Sequence, residues 1–186
     1  MPDDRRRLLD LLARRSFRQG RVVLTSGKES DFYIDCKQTT LCAEGHLLVG
    51  RLLYSLIRER FPEARAVGGP TLGADPMVSA ISTYSAISGG PTLDAFIIRK
   101  EPKGHGTGAW VEGLGNLGPA CPVVVCEDVI TTGGSTLRSL ERVEQAGLEV
   151  LCALVLVDRL EGGREAVEAA GHSLLSVFDR HDFLPG

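Results

Sequence analysis

Apolar positions along the chain switch between two spacings. One recurs every third or fourth residue, as on a helix; the other is a short unbroken run that suits a buried strand. Val123 to Cys126 and Val150 to Val157 are runs of the second kind. Neither shows the alternation of a half-buried strand, which predicts neighbouring strands of a parallel sheet covered on both faces. Between them Leu137, Leu140 and Val143 fall at helical spacing before the stop at Ala146-Gly147. Upstream, Leu48, Leu52, Leu53, Leu56 and Ile57 stripe a helix from Cys42 to Arg60, stopped by Pro62. Ala66-Val67 reads as a short strand, Met77 to Ser88 as a helix, and Ala95 to Ile98 as a strand after the turn at Gly89-Gly90-Pro91. A helix from Arg164 to Ala170 and a strand from Leu174 to Phe178 end the series. Strands alternating with helices predict an α/β fold with a mainly parallel central sheet flanked by helices.

Ahead of this pattern, Asp3 to Arg15 carries Leu8, Leu11 and Leu12 on one helical face, with Asp3 or Asp4 as a cap. Val22 to Lys37 reads as a β-hairpin turning at Ser26-Gly27-Lys28. With 186 residues, 43% of them hydrophobic, the chain suits one domain, 1–186, with a sizeable core. A net charge of −3 argues against a general nucleic-acid or anionic-membrane surface, so any anion site must be local. Arg5, Arg6 and Arg7 are then best read as a solvated helix face or a subunit contact. No apolar run approaches the roughly twenty residues of a membrane span, and no apolar segment follows Met-Pro-Asp-Asp-Arg-Arg-Arg, so a cytoplasmic protein is expected. Cys36, Cys42, Cys121, Cys126 and Cys152 are odd in number and lack a C-x-x-C pair, which predicts neither a disulfide framework nor a zinc site.

The chemistry gathers where the strand runs end. Val123 to Cys126 stops at two adjacent acids, Glu127 and Asp128, which gain nothing from packing side by side. After Val129 and Ile130, the small residues Thr131 to Thr136 lead into a helix, whose first N–H groups and positive dipole end suit a phosphate. No lysine follows the glycines, so this is not a Walker loop. Acids for sugar hydroxyls beside a phosphate cradle suggest a phosphorylated sugar. Gly68 to Pro76 offers a second backbone cradle. Cations cluster after Ile98, at Arg99, Lys100, Lys103 and His105, and five glycines lie between Glu101 and Gly115, which predicts a mobile loop at a strand end where α/β sheets bind ligands. Gly113-x-Gly115-x-x-Gly118 fits a dinucleotide pattern on paper, but no strand precedes it and Pro119 and Pro122 forbid the helix it needs. Lys28, Tyr33 and Lys37 in the hairpin supply cations and an aromatic face for a planar anion. Arg159 emerges after Val157 on the ligand side of the sheet, with a salt bridge to Asp158 or Glu161 as its structural alternative. His46, His172 and His181 have no partner pattern.

Val-Val-Val-Cys-Glu-Asp-Val-Ile-Thr-Thr-Gly-Gly-Ser, from Val123 to Ser135, resembles the phosphoribosyl-pyrophosphate (PRPP) signature of type I phosphoribosyltransferases. Ser26-Gly27-x-x-Ser30 followed by aromatics is similar to the N-terminal hood of orotate phosphoribosyltransferases, and Arg99-Lys100-x-x-Lys103-x-His105-Gly106 to their catalytic loop. Gly69-Pro70 resembles the start of their pyrophosphate loop. The resemblance runs from about Leu24 to Arg159. It implies the type I phosphoribosyltransferase fold, with residues 1–40 as a helix and hairpin hood over the site. The activity implied is transfer of ribose 5-phosphate from PRPP to orotate, giving orotidine 5′-monophosphate and pyrophosphate in pyrimidine (UMP) biosynthesis. Mg²⁺ would be carried by PRPP, and a homodimer would share its active sites. Catalytic roles are implied for Lys103, His105 and Asp128. PRPP contacts are implied for Arg99, Lys100, Lys103, His105, Glu127, Asp128, Val129, Ile130, Thr131, Thr132, Gly133, Gly134 and Ser135, and orotate contacts for Thr131, Arg159, Lys28 and Tyr33. The chain departs from the family at Gly73 and Thr25, where many or some members carry lysine; Lys28 and Lys37 are candidates to replace the latter. The alternatives are transfer to another base, which needs no carboxylate partner at Arg159, or a PRPP-sensing regulator, which would lack the loop cations or add a DNA-binding module.

Overall fold

The computed structural model describes residues 2–23, 29–102 and 109–184. The chain opens with helix α1 (Pro2–Arg15) and strands β1 (Phe17–Val23) and β2 (Glu29–Ile34), which pair antiparallel as a separate two-stranded sheet. A short helix α2 (Lys37–Thr40) leads to the long α3 (Ala43–Arg60), and the α/β succession follows: β3 (Ala66–Pro70), α4 (Asp75–Ile87), β4 (Asp94–Ile98), β5 (Val111–Glu112), β6 (Pro122–Ile130), α5 (Gly134–Gln145), β7 (Glu149–Asp158), α6 (Gly163–Ala169), β8 (Leu174–Asp179) and α7 (Arg180–Phe183). The six strands from β3 to β8 form one sheet in the order β5-β4-β3-β6-β7-β8, parallel except for β5 on the edge.

Strand parity divides the core. Along β6, Val124 and Cys126 face a cluster that includes Leu8, Leu12, Leu48, Leu53, Met77 and Ile81 from α1, α3 and α4. Val123 and Val125 face Leu140, Val143 and Val167 from α5 and α6. The strand is buried on both sides, which is why its sequence shows no alternation.

The hairpin is held down from the far end of the chain. Phe17 and Phe32 stack against Phe183, with ring centroids 5.5 and 5.8 Å away. Phe183 is set by α7, whose start is a reciprocal cap: His181 N–H donates to the Asp179 carboxylate at 2.8 Å, and Asp179 N–H to Asp182 at 3.0 Å. Packing on Phe32 explains why β1 begins at Phe17, earlier than the apolar pair Val22-Val23 suggests. The basic run of α1 is spent inside the chain: Arg5 pairs with Asp182 at 3.2 Å, Arg6 with Asp3 at 3.1 Å and Arg7 with Glu44 at 2.9 Å. Gly113, at φ 97°, opens a 3₁₀ turn over Leu114–Asn116, so the glycine triplet there starts no dinucleotide-binding helix.

Close approach in the middle of the sheet depends on Gly68, where a side chain would strike the ring of the buried Phe96. Gly68→Ala is expected to lower stability by about 2 kcal/mol, as other overpacked cores do, measured by urea unfolding; an unchanged midpoint would show that the Phe96 ring has room to shift.

Candidate active site

The sheet order places a topological switch between β3 and β6: the chain goes outward from β3 to β4 and then returns to start the other half at β6. β3 and β6 pair only from Ala66↔Val123 to Gly68↔Val125. Beyond that the strands part, β3 running on beside β4 to Pro70 and β6 beside β7 to Ile130. At the parting lies a cavity of about 370 Å³. Its walls are Pro70 at the end of β3 with Thr71 and Gly73 beyond it, Arg99 and Lys100 after β4, Glu127 and Asp128 on β6, Ser135, Arg138, Ser139 and Arg142 on α5, and Lys37 from the hood side.

Alternation along β6 sends its two acids to opposite faces. Glu127, 7% exposed, turns towards α5, where the Thr136 hydroxyl donates to it at 3.4 Å. Burial, reinforced by the neighbouring Asp128 charge, pushes its carboxyl up to about 8. Asp128 points to the other face, accepts from the Val129 N–H at 3.0 Å, and lies so close to Gly73 that a side chain there would strike its carboxylate. Burial raises its pKa too, but the Lys37 charge opposes the rise. Lys37 pairs with Asp35 at 2.6 Å, and that hydrogen bond raises its own pKa. The approach of the loop to Asp128 accounts for Gly73, which the sequence marks only as a missing lysine.

After Ile130 the chain turns through Thr131 and Thr132 into α5. Gly133 is the N-cap at φ 82°, and no side chain caps the first turn, so its N–H groups face outward for a ligand. A side chain at Gly133 would also meet the Gly163 carbonyl oxygen at 2.9 Å. Val129 and Ile130 carry the strand to this turn, and Ser135 lines the cavity just inside it.

Arg99 and Arg142 form a brace. The Arg99 guanidinium pairs with Glu112 on β5 at 3.0 Å, while the Arg99 carbonyl accepts from Arg142 at 3.1 Å. The Arg142 guanidinium lies 3.6 Å from the centroid of Trp110, whose carbonyl accepts the Arg99 N–H at 2.8 Å. Arg138 and Arg142 were not singled out in the sequence. Ser135, Arg138, Ser139 and Arg142 fall at helical spacing on one face of α5, and that periodicity is the signal that identifies them.

Arg159 stands directly after β7 beside the phosphate loop, its N–H donating to the Ile130 carbonyl at 3.1 Å. It is 6% exposed, pairs with Glu161 at 2.7 Å and lies 5.6 Å from the centroid of Phe32. Thr131 is thereby brought beside Arg159, but Tyr33 is not. Parity on β2 turns Phe32 inward and leaves Tyr33 36% exposed, lining a separate cavity of about 330 Å³ with Arg15, Arg18, Asp35 and Gln38. Phe32 is therefore the hairpin aromatic at Arg159. Lys28, Lys103 and His105 lie outside the described residues, as do Thr25 and the hairpin turn.

No family model matches the chain. It is 51% identical over 182 residues to the orotate phosphoribosyltransferase of Sorangium cellulosum, covering 98% of this chain and 94% of that one. Among solved structures it resembles the orotate phosphoribosyltransferase of Mycobacterium tuberculosis H37Rv in complex with Fe(III) dicitrate, at 39% identity and a TM-score of 0.82, covering 97% of this chain and 99% of that one. The same enzyme in complex with PRPP matches at 36% identity and a TM-score of 0.78, covering 97% and 98%. With identity at this level over nearly the full length of both chains, and with the PRPP-type loop at the switch point of the sheet, the chain belongs to the orotate phosphoribosyltransferase family.

Proposed function

We propose that the protein transfers ribose 5-phosphate from PRPP to a ring nitrogen of orotate, releasing pyrophosphate and forming orotidine 5′-monophosphate for pyrimidine biosynthesis. The observation that carries this reading is the convergence, at one switch-point cavity, of a carboxyl pair, an uncapped helix start and a strand end bearing Arg99 and Lys100.

Thr131, Thr132, Gly133, Gly134 and Ser135 receive the 5′-phosphate on backbone N–H groups. Glu127 and Asp128 face the ribose. As the bond from the anomeric carbon to pyrophosphate breaks, positive charge develops on the sugar, and preformed negative charge on Asp128 beside it lowers the barrier. The two carboxyls are not equivalent, since Asp128 has Lys37 to hold its charge whereas Glu127 has a hydroxyl. Arg99 and Lys100 meet the charge growing on the leaving pyrophosphate, with Lys103 and His105 joining them by the family resemblance. Val129 and Ile130 set the height of the phosphate loop over the sheet. Arg159, beside Thr131, offers a guanidinium fork to the orotate carboxylate; Phe32, fully buried, packs its ring against that guanidinium and does not meet the substrate.

Among the described residues no group of three or more His, Cys, Asp or Glu side chains is placed to hold a metal. Glu127 and Asp128 are the hard oxygen donors at the cavity, and Mg²⁺ characteristically binds through one or two carboxylates together with substrate phosphates. Mg²⁺ is therefore assigned to PRPP, where it would neutralise leaving-group charge. A homodimer with shared active sites and a cytoplasmic location complete the proposal; among the described residues no helix is long and apolar enough to cross a membrane.

The deciding assay is loss of orotate with the purified protein, PRPP and Mg²⁺, with uracil, adenine and hypoxanthine as competing acceptors. Turnover with orotate that needs PRPP and collapses in Lys103→Ala is expected. Turnover with another base alone would discard the role of Arg159, and PRPP binding without turnover would indicate a regulator. Arg159→Met should raise KM for orotate roughly ten- to hundredfold, the cost of a lost charged hydrogen-bond pair, while KM for PRPP stays nearly constant in initial-rate kinetics.

Glu127 also predicts a pH dependence. The folded protein keeps this proton up to about pH 8, whereas the unfolded chain releases it near the ordinary value of 4.5. The folded state binds more protons between those limits, so stability falls as pH rises through them. Glu127→Gln is expected to lose turnover yet show a smaller drop in Tm than the parent between about pH 5 and about pH 9. Parallel Tm curves for the two proteins would remove the perturbed carboxyl.

A further inference from the structure

We propose that Arg138 is a further phosphate-binding residue of this site, meeting phosphoryl oxygens of PRPP from the side of α5. The inference rests on the reading of the cavity as a PRPP site.

The cavity's cations divide into committed and uncommitted charges. Lys37 is held by Asp35 at 2.6 Å, Arg99 by Glu112 at 3.0 Å, and Arg142 lies on Trp110 at 3.6 Å while bonded to the Arg99 carbonyl. Lys100 and Arg138 have no ion pair or hydrogen bond among the described residues. Glu127 and Asp128 line the same cavity, so a substrate with a phosphate at one end and a pyrophosphate at the other needs positive charge that these carboxyls and existing pairs have not already claimed.

The side chain of Arg138 is also aimed. A Cβ built on Gly134 would lie 3.6 Å from the Arg138 Nη1. The guanidinium is thus folded back towards the helix start, the direction helix geometry favours for long side chains, and lies beside the phosphate loop. Arg138 is exposed, and its side chain lines the cavity with Ser135 and Ser139, one turn from the loop. A planar fork of N–H donors beside a row of backbone N–H groups suits a phosphate. The same chemistry fits either end of PRPP, the 5′-phosphate or the pyrophosphate, and the two are separable in the reverse reaction.

The test compares the parent, Arg138→Gln and Arg138→Lys. Arg138→Gln should raise KM for PRPP about tenfold or more, with KM for orotate changed by less than about twofold, and Arg138→Lys should recover part of the loss. In the reverse reaction, a higher KM for pyrophosphate places Arg138 at the leaving group, and a higher KM for orotidine 5′-monophosphate places it at the 5′-phosphate. An unchanged KM for PRPP in folded Arg138→Gln overturns the proposal, as does an equal loss on PRPP and orotate in both variants. If Arg138→Gln fails to fold, the folded Arg138→Lys decides by the same KM comparison. If the parent turns over no orotate, the reading of the function fails separately; calorimetric titration with PRPP and with pyrophosphate then judges Arg138, and equal affinity in parent and Arg138→Gln overturns it.

Discussion

The site depends on a buried acid at the end of a buried strand. Glu127 is carried out of water by the same enclosure that stabilises Val123 to Cys126, and its carboxyl has a hydroxyl, not a cation, for company. Burying a charge without a partner is costly, so the group takes the neutral form and gives up stability in doing so. Nothing in the packing of α5 on the sheet asks for an acid there. A feature that weakens the fold and faces the cavity makes sense when its partner is a ligand, which supplies the missing charge or hydrogen bonds on binding. Asp128 shows the contrast: one residue on, parity turns it to the face where Lys37 lies.

The rest of the architecture serves to bring backbone close to this pair. Gly68 admits the Phe96 ring against β3, Gly73 lets the loop after β3 approach the Asp128 carboxylate, and Gly163 and Gly133 let α6 and the phosphate loop touch. Each glycine removes a side chain where backbone meets another backbone, a carboxylate or an aromatic ring. The cavity exists because β3 and β6 stop pairing after Gly68↔Val125, and it stays narrow because these contacts hold its walls together.

Much of this was legible in the residues. The unbroken apolar run, the acid pair and the small-residue loop have local signatures, since a strand buried on both faces and a helix that starts at glycine are dictated over a dozen positions. Parity in the hairpin had no such signature. Phe32 and Tyr33 are adjacent aromatics, and Phe183, about one hundred and fifty residues away, contributes to deciding which one is buried. Arg138 was hidden for a different reason: an arginine on an amphipathic helix ordinarily faces water, and the cavity becomes visible only when α5 is laid against the ends of β3 and β4. Gly73 looked like a lost charge because the sequence shows which side chain is missing but not which neighbour would collide with it.

The charges around the cavity fall into two kinds with different uses. Arg99, Glu112, Arg142 and Trp110 tie the ends of β4 and β5 to α5, the helix whose first turn is the phosphate loop. Those four groups hold one another, so their orientation costs little further ordering when a polyanion arrives. Lys100 and Arg138 stand beside them with their charge unspent. A rigid frame of satisfied charges next to a few unsatisfied ones suits stabilisation of a leaving group whose charge appears during the reaction: the frame fixes position, and the unsatisfied cations act most strongly once negative charge has developed.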